Sequence, residues 1–220
     1  MVGGIIPFMK TINVTVYSDY VCPYCYIGAA RVQQLQQEYD PPIVWKSFEL
    51  HPEAPAGGIP PSMFYQDNPN LKRISENAQQ LAAAANLQLP DHVIYSNSRL
   101  ALELGELAEQ SGKGEAFRAA LFDSYFQQGQ DMGSESVLLD VAEEIGLARE
   151  AAAECLSERT MTACVDLQIQ EARGYGITGV PTFIIGKYMV VGAQPYSVLK
   201  QAFELGLEEG EANYGKNCNY

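Results

Sequence analysis

Two cysteines separated by two residues, Cys22-Pro23-Tyr24-Cys25, lie where a strand-like segment gives way to a helix-like one. A Cys-X-X-Cys motif at such a boundary is typical of a dithiol-disulfide redox centre. The start of a helix offers unpaired N–H groups that stabilise a thiolate on Cys22, and Cys25 follows one turn later. The motif therefore predicts that Cys22 is the attacking thiol and Cys25 the resolving thiol.

The motif has two other interpretations, half of a zinc site or a pair of incidental buried thiols. A zinc site needs a second pair of Cys or His ligands. The candidates are far apart, because Cys155 and Cys164 are separated by nine positions and the two histidines, His51 and His92, are scattered. The sequence therefore favours the redox centre and predicts no metal.

The segments around the motif predict a βαβ unit. Residues 11–18 are rich in Val, Ile and Thr and predict a strand, residues 23–39 predict a helix, and residues 43–50 predict a second strand. The connection is long enough for a crossover, so the two strands are expected to be parallel. A linker rich in Pro and Gly follows over residues 52–61.

The rest of the chain predicts a helical block and then a return to the first domain. Residues 62–175 have helical periodicity, and strands resume on both sides of Gly186-Lys187, a two-residue hairpin turn. A last helix is predicted over residues 195–206. The predicted organisation is an α/β domain formed by 11–61 and 176–208, an inserted helical domain over 62–175 and a tail over 209–220.

A second motif, Gly179-Val180-Pro181-Thr182, stands directly before the predicted hairpin. A proline at the head of a strand is confined to positions that tolerate its missing N–H donor, and a cis X–Pro bond commonly explains such a turn. An ordinary trans proline at a strand edge is the alternative. The presence of the Cys-X-X-Cys motif upstream favours a cis Val180–Pro181 bond.

Four phrases in the sequence carry a family resemblance: FELHP (48–52), SNSRLAL (96–102), LFDSYFQQGQDMG (121–133) and GVPTFIIGKYMVVGAQ (179–194). Together with the Cys-Pro-Tyr-Cys motif they make the chain resemble the DsbA-like branch of the thioredoxin superfamily. The subgroup it resembles is the FrnE type, also labelled 2-hydroxychromene-2-carboxylate isomerase-like. The resemblance covers nearly all of residues 11–207, and the ordered phrases are far more specific than Cys-X-X-Cys alone.

The resemblance implies an α/β thioredoxin fold with a large inserted all-helical domain. It also implies that cis Pro181 packs against the two sulfurs and that the backbone of Val180 pairs with an extended substrate. Pro23 suits the first helical turn, where its missing N–H group costs nothing. The N–H groups of Tyr24 and Cys25 are expected to donate to the Cys22 sulfur.

The chain departs from the family pattern next to the motif. Thioredoxin and DsbA carry a buried carboxylate six residues before the first active-site cysteine, where this chain has Val16. A proton acceptor for Cys25 must come from elsewhere or be absent. Lys46 and Asp19 are candidates by their nearness in sequence, with a surface position as the alternative for both. The middle dipeptide Pro-Tyr resembles glutaredoxin, whereas DsbA carries Pro-His.

The composition and charge of the chain limit the classes of partner and the cellular compartment that we expect. The chain has 27 acidic and 14 basic residues, a net charge of −13 that disfavours nucleic acid and anionic membranes as partners. No apolar run approaches the roughly 20 residues of a membrane span, and residues 1–10 lack the pattern of a signal peptide. We therefore expect a cytoplasmic protein. Five cysteines, an odd number at low density, argue against a disulfide-stapled secreted scaffold.

The expected function is thiol-disulfide exchange, the reduction or isomerisation of protein disulfides by the cysteine pair. The expected partners are protein thiols and disulfides, with no bound cofactor; glutathione as co-substrate and the oligomeric state stay open. One alternative is a glutathione-dependent isomerase of the 2-hydroxychromene-2-carboxylate type, and another is a non-enzymatic peptide-binding chaperone. The related kappa-class glutathione enzymes have serine at the position of Cys22, so the presence of both Cys22 and Cys25 favours redox chemistry.

Several other residues have a functional and a structural interpretation. Cys155 and Cys164 face each other only if the helix between them breaks, and are otherwise buried thiols. Cys218 is either an accessory thiol or an exposed cysteine of the tail, and His51 either lines the site or belongs to a loop. One aromatic stripe is expected to pack in the core rather than to bind substrate: Phe117, Leu121, Phe122, Tyr125 and Phe126.

The helical insert is expected to control substrate access rather than to do chemistry. Residues 62–175 contain no paired carboxylates, metal ligands or phosphate-binding glycines in a recognisable pattern. We expect the insert to cap one side of the Cys22 site. Tyr24, Phe64 and Tyr65 are the aromatic candidates for the groove beside it.

Overall fold

Four strands form one sheet in the computed structural model, which describes residues 12–60, 63, 69–89 and 95–217. The strands are Val14–Ser18 (β1), Ile43–Ser47 (β2), Thr182–Ile185 (β3) and Tyr188–Val191 (β4). Their order in the sheet is β2-β1-β3-β4. The segments before and after the helical block therefore form one sheet.

The predicted βαβ unit is confirmed. β1 and β2 are parallel, and Val14 lies opposite Ile43 at one end of the pair. The crossover is helix α1 (Pro23–Tyr39), which ends at Asp40 in the left-handed conformation, with φ of 49°. The helix stops there because Pro41 and Pro42 follow and the first of them disfavours helical backbone at Asp40.

The predicted hairpin is confirmed as well. β3 is antiparallel to both β1 and β4, and Ile185 pairs with Tyr188 across the turn. Gly186 has a φ of 58°, which a residue without a Cβ atom adopts without steric cost. The turn therefore consists of Gly186 and Lys187, as the sequence predicts.

Six helices lie between β2 and β3 in the described part of the chain, which confirms the predicted all-helical block. None of the helices in the described ranges is both long and apolar enough to cross a membrane. The division into domains at residues 61/62 and 175/176 stays a prediction. The six helices are Pro69–Ala83 (α2), Arg99–Gln110 (α3), Gly114–Phe126 (α4), Glu135–Glu144 (α5), Arg149–Glu158 (α6) and Thr162–Gly174 (α7).

The last helix is longer than the sequence predicts. α8 spans Tyr196–Asn217, so the predicted end at residue 206 is wrong, and the predicted tail over 209–220 is wrong as far as Asn217. Gly206 does not end the helix but allows it to approach the sheet, because a Cβ atom there would lie 2.5 Å from Ile12 Cδ1. Beyond Gly206, the Tyr188 hydroxyl donates to Glu209 at 2.7 Å and joins the helix to β4.

Two apolar clusters meet at the sheet. The first packs α1 and α8 against the strands and contains Val16. The second joins the C-terminal end of β1 and both motif cysteines to the helical block through residues of α3 to α7. The cysteine motif therefore lies in the seam between the sheet and the helical block.

Gly28 marks the close approach of α1 to the loop before β3. A Cβ atom on Gly28 would lie 3.1 Å from Pro181 Cγ and 3.2 Å from Phe183 Cζ, closer than ordinary contacts. We expect Gly28→Ala to lower the free energy of unfolding by about 1 kcal/mol, because overpacking outweighs the gain in helix propensity. Urea denaturation measures the change. Gly174→Ala in α7 is the control, since no atom lies within 4 Å of a Cβ there. Equal stability of the two variants would contradict the prediction.

Candidate active site

One edge of the sheet collects the two sequence motifs. Because β1 and β2 are parallel and β3 is antiparallel to β1, the residues after β1, after β2 and before β3 meet at the same edge. The Cys-X-X-Cys motif follows β1 and begins α1, and Val180 and Pro181 directly precede β3. The fold therefore brings residues that are about 160 positions apart in sequence into one site.

Cys22 is the N-cap residue of α1, with an extended backbone conformation (φ −85°, ψ 116°). Its Sγ donates to the carbonyl oxygen of Val180 at 3.5 Å. The Cys25 N–H group donates to the Cys22 carbonyl oxygen at 3.0 Å, so this amide does not serve the Cys22 sulfur as the sequence predicts. Pro23 has no N–H group, which leaves the Tyr24 amide as the donor of the first turn for a Cys22 thiolate.

Cys25 lies in the first turn of α1 and is 1 % exposed. Burial raises the pKa of its thiol well above the usual value, and the neighbouring Cys22 raises that pKa further. The Ser18 hydroxyl and the backbone N–H group of Asp19, which lies 3.4 Å from Sγ, lower the pKa and oppose this rise. At neutral pH the Cys25 side chain is therefore a protonated thiol.

Exposure does not distinguish the two cysteines. The sequence leads us to expect an accessible Cys22, yet it is 2 % exposed, compared with 1 % for Cys25. Both belong to the apolar cluster shared with the helical block, which covers them. The four cysteines in the described ranges are free thiols. What distinguishes Cys22 is its place at the helix start and its contact with Val180.

The Val180–Pro181 peptide bond is cis, the geometry that the resemblance implies. The Pro181 ring lies beside Gly28, one turn after Cys25 on α1. The Val180 carbonyl oxygen faces Cys22, whereas the Val180 N–H group donates to no group in the described part of the chain. The loop before β3 therefore presents one available backbone donor, on the residue whose carbonyl oxygen faces the Cys22 sulfur.

Tyr24 connects the motif to the helical block. Its hydroxyl donates to the carbonyl oxygen of Ile74 at 3.0 Å and accepts from Asn77 Nδ2 at 3.2 Å, both on α2. The helical insert therefore contacts the motif at Tyr24. The sequence predicts that the insert caps one side of the Cys22 site, and this contact lies on such a side. Phe64 and Tyr65, the other aromatic candidates, lie outside the described residues.

Asp19 and Lys46, the candidate proton acceptors, differ in their relation to Cys25. Lys46 forms an ion pair with Glu171 of α7 and is not placed against the thiol. Asp19 is fully buried, and its carboxylate accepts from the Leu50 N–H group at 2.7 Å. Burial raises the pKa of Asp19 from 3.8 to about 6, although hydrogen bonds, first of all from Leu50, partly oppose the shift. Asp19 contacts Cys25 through its backbone N–H group.

The other described residues that the sequence offers as functional candidates lie in the helical block or in a loop. The predicted aromatic stripe is buried in α4, which confirms its role in the core. Cys155 donates to the Glu103 carbonyl oxygen at 3.9 Å, and Cys164 donates to Glu106 at 3.4 Å. His51 is a loop residue that contacts Glu53 at 2.9 Å. No group of three or more His, Cys, Asp and Glu side chains in the described ranges is arranged to hold a metal. Cys218 lies outside the described residues.

Sequence reasoning missed two polar residues of the site: Ser18 at the end of β1, whose hydroxyl contacts Cys25, and Glu106 on α3, which lines a small cavity together with Ser18. Glu106 is only 9 % exposed, and it lies four residues after Leu102, which is 2 % exposed. Residues four apart lie on the same side of a helix. A glutamate four positions from a leucine of the apolar face is the signal that could have marked Glu106.

The comparisons with known proteins agree with this geometry. A family model described as a DSBA-like thioredoxin domain matches residues 13–204. The chain is 31 % identical to the uncharacterized protein YwbO of Bacillus subtilis, over 87 % of this chain and 96 % of that protein. It is 24 % identical to the 2-hydroxychromene-2-carboxylate isomerase of Pseudomonas putida, over 84 % of this chain and 91 % of that enzyme.

A solved structure extends the comparison to three dimensions. The structure of a probable DsbA oxidoreductase from Streptomyces coelicolor superposes with a TM-score of 0.83 and 27 % sequence identity. The match covers 90 % of this chain and 91 % of that one. These similarities confirm the thioredoxin fold and the resemblance on which the sequence prediction rests.

The raised pKa of Asp19 predicts a specific dependence of stability on pH. Between pH 3.8 and about 6 the native protein keeps a proton on Asp19 that the unfolded chain has lost. The Asp19 contribution to stability is therefore greatest below the unfolded pKa and is lost as the pH rises through the folded pKa. We expect the free energy of unfolding, relative to that of Asp19→Asn, to fall by about 3 kcal/mol across this window.

Urea denaturation of both proteins at several pH values measures this difference. Glu150→Gln, at an exposed position of α6, is the control and should leave the pH dependence of wild type unchanged. If the difference in free energy of unfolding between wild type and Asp19→Asn stays constant with pH, the prediction is wrong and the pKa of Asp19 is not raised.

Proposed function

Because the chain belongs to the family of DSBA-like thioredoxin domains, we propose that it is a thiol-disulfide oxidoreductase that reduces or isomerises protein disulfides. The observation that carries this proposal is the placement of Cys22 at the start of α1, against the Val180 carbonyl oxygen, with the Cys25 thiol one turn further on. Two thiols in this arrangement can form and break a disulfide with each other.

In the first step, the Cys22 thiolate attacks one sulfur of a substrate disulfide. A mixed disulfide forms, the substrate S–S bond breaks, and the other substrate sulfur leaves as a thiolate that takes a proton. The Tyr24 N–H group and the positive end of the α1 dipole stabilise the Cys22 thiolate.

In the second step, Cys25 loses its proton and attacks the Cys22 sulfur. The mixed disulfide breaks, the reduced substrate leaves, and a Cys22–Cys25 disulfide remains. Two electrons have then passed from the protein to the substrate. A dithiol or two glutathione molecules can restore the reduced pair, so we include glutathione as a candidate co-substrate. In isomerisation, the substrate's own thiol attacks the mixed disulfide instead, with no net transfer of electrons.

The loop before β3 is the proposed binding site for the substrate backbone. Val180 contacts the Cys22 sulfur through its carbonyl oxygen, and its available N–H group can pair with the carbonyl oxygen of an extended peptide. Both sulfurs are covered in the structure, so the substrate must displace part of the cover formed by the helical block. This requirement favours flexible disulfide-bearing segments over disulfides inside folded domains.

The proposed direction follows from the reduction potential that the Pro-Tyr dipeptide suggests. A glutaredoxin-like potential lies roughly 70 mV above the cytosolic glutathione poise, which favours the dithiol by about 3 kcal/mol. In a cytoplasmic setting the pair would therefore rest in its reduced form. We accordingly propose a cytoplasmic reductase or isomerase that acts on protein thiols and disulfides, rather than a net oxidant.

Similarity to the isomerase of Pseudomonas putida supports a second candidate, a glutathione-dependent isomerase of small aromatic substrates. In that case Cys22 would bind or activate glutathione, and Cys25 would not need to react. A peptide-binding chaperone that uses the groove beside Pro181 is a third candidate and needs neither cysteine. The presence of both thiols in one buried site favours the oxidoreductase.

Serine variants of the two cysteines distinguish these functions. We expect Cys22→Ser to reduce insulin with glutathione or dithiothreitol at below about 1 % of the wild-type rate, because a hydroxyl cannot replace the thiolate nucleophile. Cys25→Ser should accumulate mixed disulfides, which non-reducing electrophoresis and mass spectrometry detect. Cys155→Ser is the control and should retain activity.

The glutathione-dependent isomerisation of 2-hydroxychromene-2-carboxylate is measured in parallel on the same proteins. Isomerisation by Cys22→Ser at the wild-type rate, with no detectable reduction of insulin by wild type, would refute the oxidoreductase and support the isomerase. Suppression of aggregation of an unfolded protein by the double serine variant, without either enzymatic activity in wild type, would support the chaperone.

A further inference from the structure

We propose that Glu106 of α3 accepts, through Ser18 and one water molecule, the proton that Cys25 loses when it attacks the mixed disulfide. This inference rests on the proposed thiol-disulfide exchange and adds a proton acceptor to its second step. Glu106 does not touch the reacting sulfurs, so it acts as a positioning residue for the proton rather than as a nucleophile.

The second step needs a proton acceptor at a place that bulk water does not reach. The Cys25 thiol is 1 % exposed and is part of an apolar cluster. Its polar neighbours are the Ser18 hydroxyl and the backbone N–H group of Asp19. The N–H group can only donate, whereas a hydroxyl both accepts and donates. The proton of Cys25 therefore has one local exit, which is Ser18.

A small polar cavity connects Ser18 to Glu106. Its volume is about 20 Å³, and its lining includes Ser18, Ser47, Gly105 and Glu106. A cavity of this size holds one water molecule when polar groups surround it. A water here can accept from the Ser18 hydroxyl and donate to the Glu106 carboxylate.

Glu106 carries its charge without a cationic partner in the described part of the chain. One carboxylate oxygen accepts from Ser47 Oγ at 2.7 Å. The other accepts from Gln168 Nε2 at 2.8 Å and from Cys164 Sγ at 3.4 Å. All three donors are neutral. When Glu106 accepts a proton, it therefore breaks no ion pair of the described part of the chain.

The neighbouring glutamate on the same helix shows the contrast. Glu103 is fully buried and accepts from the guanidinium groups of Arg99 and Arg159. These ion pairs hold the pKa of Glu103 below its usual value although burial acts in the opposite direction. Glu103 is therefore held as a carboxylate by two cations, whereas the partners of Glu106 within the described ranges are all neutral donors.

The other titratable groups around the cavity are either in ion pairs or neutral. Arg118 and Lys46 both line the cavity, but Arg118 pairs with Glu109 and Lys46 pairs with Glu171, which is not a lining residue. Burial raises the pKa of Tyr20, so it stays protonated and neutral. Asp19 is close to Cys25 in sequence, but its carboxylate accepts from Leu50 and it is not among the residues that line the cavity.

The proton and electron balance of the step is complete. The Cys25 S–H bond breaks and its proton passes to Ser18 Oγ, while the original hydroxyl proton moves through the water to Glu106. The Cys25 sulfur forms a bond with the Cys22 sulfur, and the bond from Cys22 to the substrate sulfur breaks. The substrate leaves as a thiolate, and Glu106 returns its proton to Cys25 by the same path when the Cys22–Cys25 disulfide is reduced again.

The reaction of the reduced protein with the aromatic disulfide dithiobis(nitrobenzoate) separates the two thiol steps. Attack by Cys22 releases one nitrothiobenzoate ion, and attack by Cys25 on the mixed disulfide releases a second one. Stopped-flow absorbance records both phases. All proteins carry Cys218→Ser, so that this thiol does not add to the signal. Burial raises the pKa of Cys155 and Cys164, which therefore react slowly.

We expect Glu106→Gln to slow the second phase by about 10²-fold and to leave the first phase unchanged, the size of effect typical of general-base assistance. Ser18→Ala should give the same result, and the double variant should be no slower than either single one. Glu106→Asp, which keeps a carboxylate, should recover part of the rate.

Glu109→Gln is the matched control, since Glu109 lines the same cavity but is paired with Arg118. A second phase unchanged in both Glu106→Gln and Ser18→Ala would overturn the proposal, and so would equal slowing by Glu109→Gln. Slowing by Asp19→Asn alone would assign the role to Asp19 instead. If Glu106→Gln fails to fold, as circular dichroism shows, Ser18→Ala decides the question. Two normal phases without insulin reduction by wild type would refute the proposed function and leave the relay intact.

Discussion

The exclusion of water from Cys22 and Cys25 is the constraint on which the rest of the site depends. Each step of thiol-disulfide exchange creates a negative charge on sulfur, and a buried charge is costly unless dipoles or hydrogen bonds stabilise it. The fold meets this need at Cys22 with the start of α1 and at Cys25 with Asp19 N–H and Ser18. The same burial raises the pKa of Cys25, so the two thiols differ in chemistry although they hardly differ in exposure.

The helical block completes the site in two ways. Its aromatic side chains pack against the segment around the motif: Phe126 stacks on Tyr26, with ring centroids 5.0 Å apart, and Phe117 contacts Tyr20 edge to face. Its polar side chains reach the motif and the end of the sheet, because Tyr24 bonds to α2 and Glu106 of α3 accepts from Ser47 of β2. The insert is therefore more than a lid, and the prediction that it only controls access leaves out its buried carboxylates.

The parts of the structure that sequence reasoning predicted are those set by local chemistry. The N-terminal Pro23 of α1, the stop before Pro41 and the Gly186-Lys187 turn each depend on a few adjacent residues. The misses depend on contacts between distant segments. Glycine is common at helix ends, so the sequence predicts that α8 ends at Gly206. In the structure the glycine instead lets α8 approach Ile12, a contact that the sequence of α8 alone does not reveal. The absence of a carboxylate at position 16 is plain from the sequence, but the placement of Glu106 in one cavity with Ser18 is not, because the two residues are far apart in the chain.

The fold also explains how oxidoreductases and isomerases share one scaffold. The start of α1 stabilises an anion on the side chain at position 22, whether that anion forms during disulfide exchange or belongs to a bound cosubstrate thiol. What commits the site to redox chemistry is a second thiol that can be deprotonated in the dry interior. Position 25 supplies the thiol, and the interior must supply the proton acceptor. A chain that keeps Cys22 but loses either Cys25 or the proton path would retain an activated sulfur that can bind or polarise a substrate but cannot release a mixed disulfide. The difference between the two activities therefore lies mainly around Cys25.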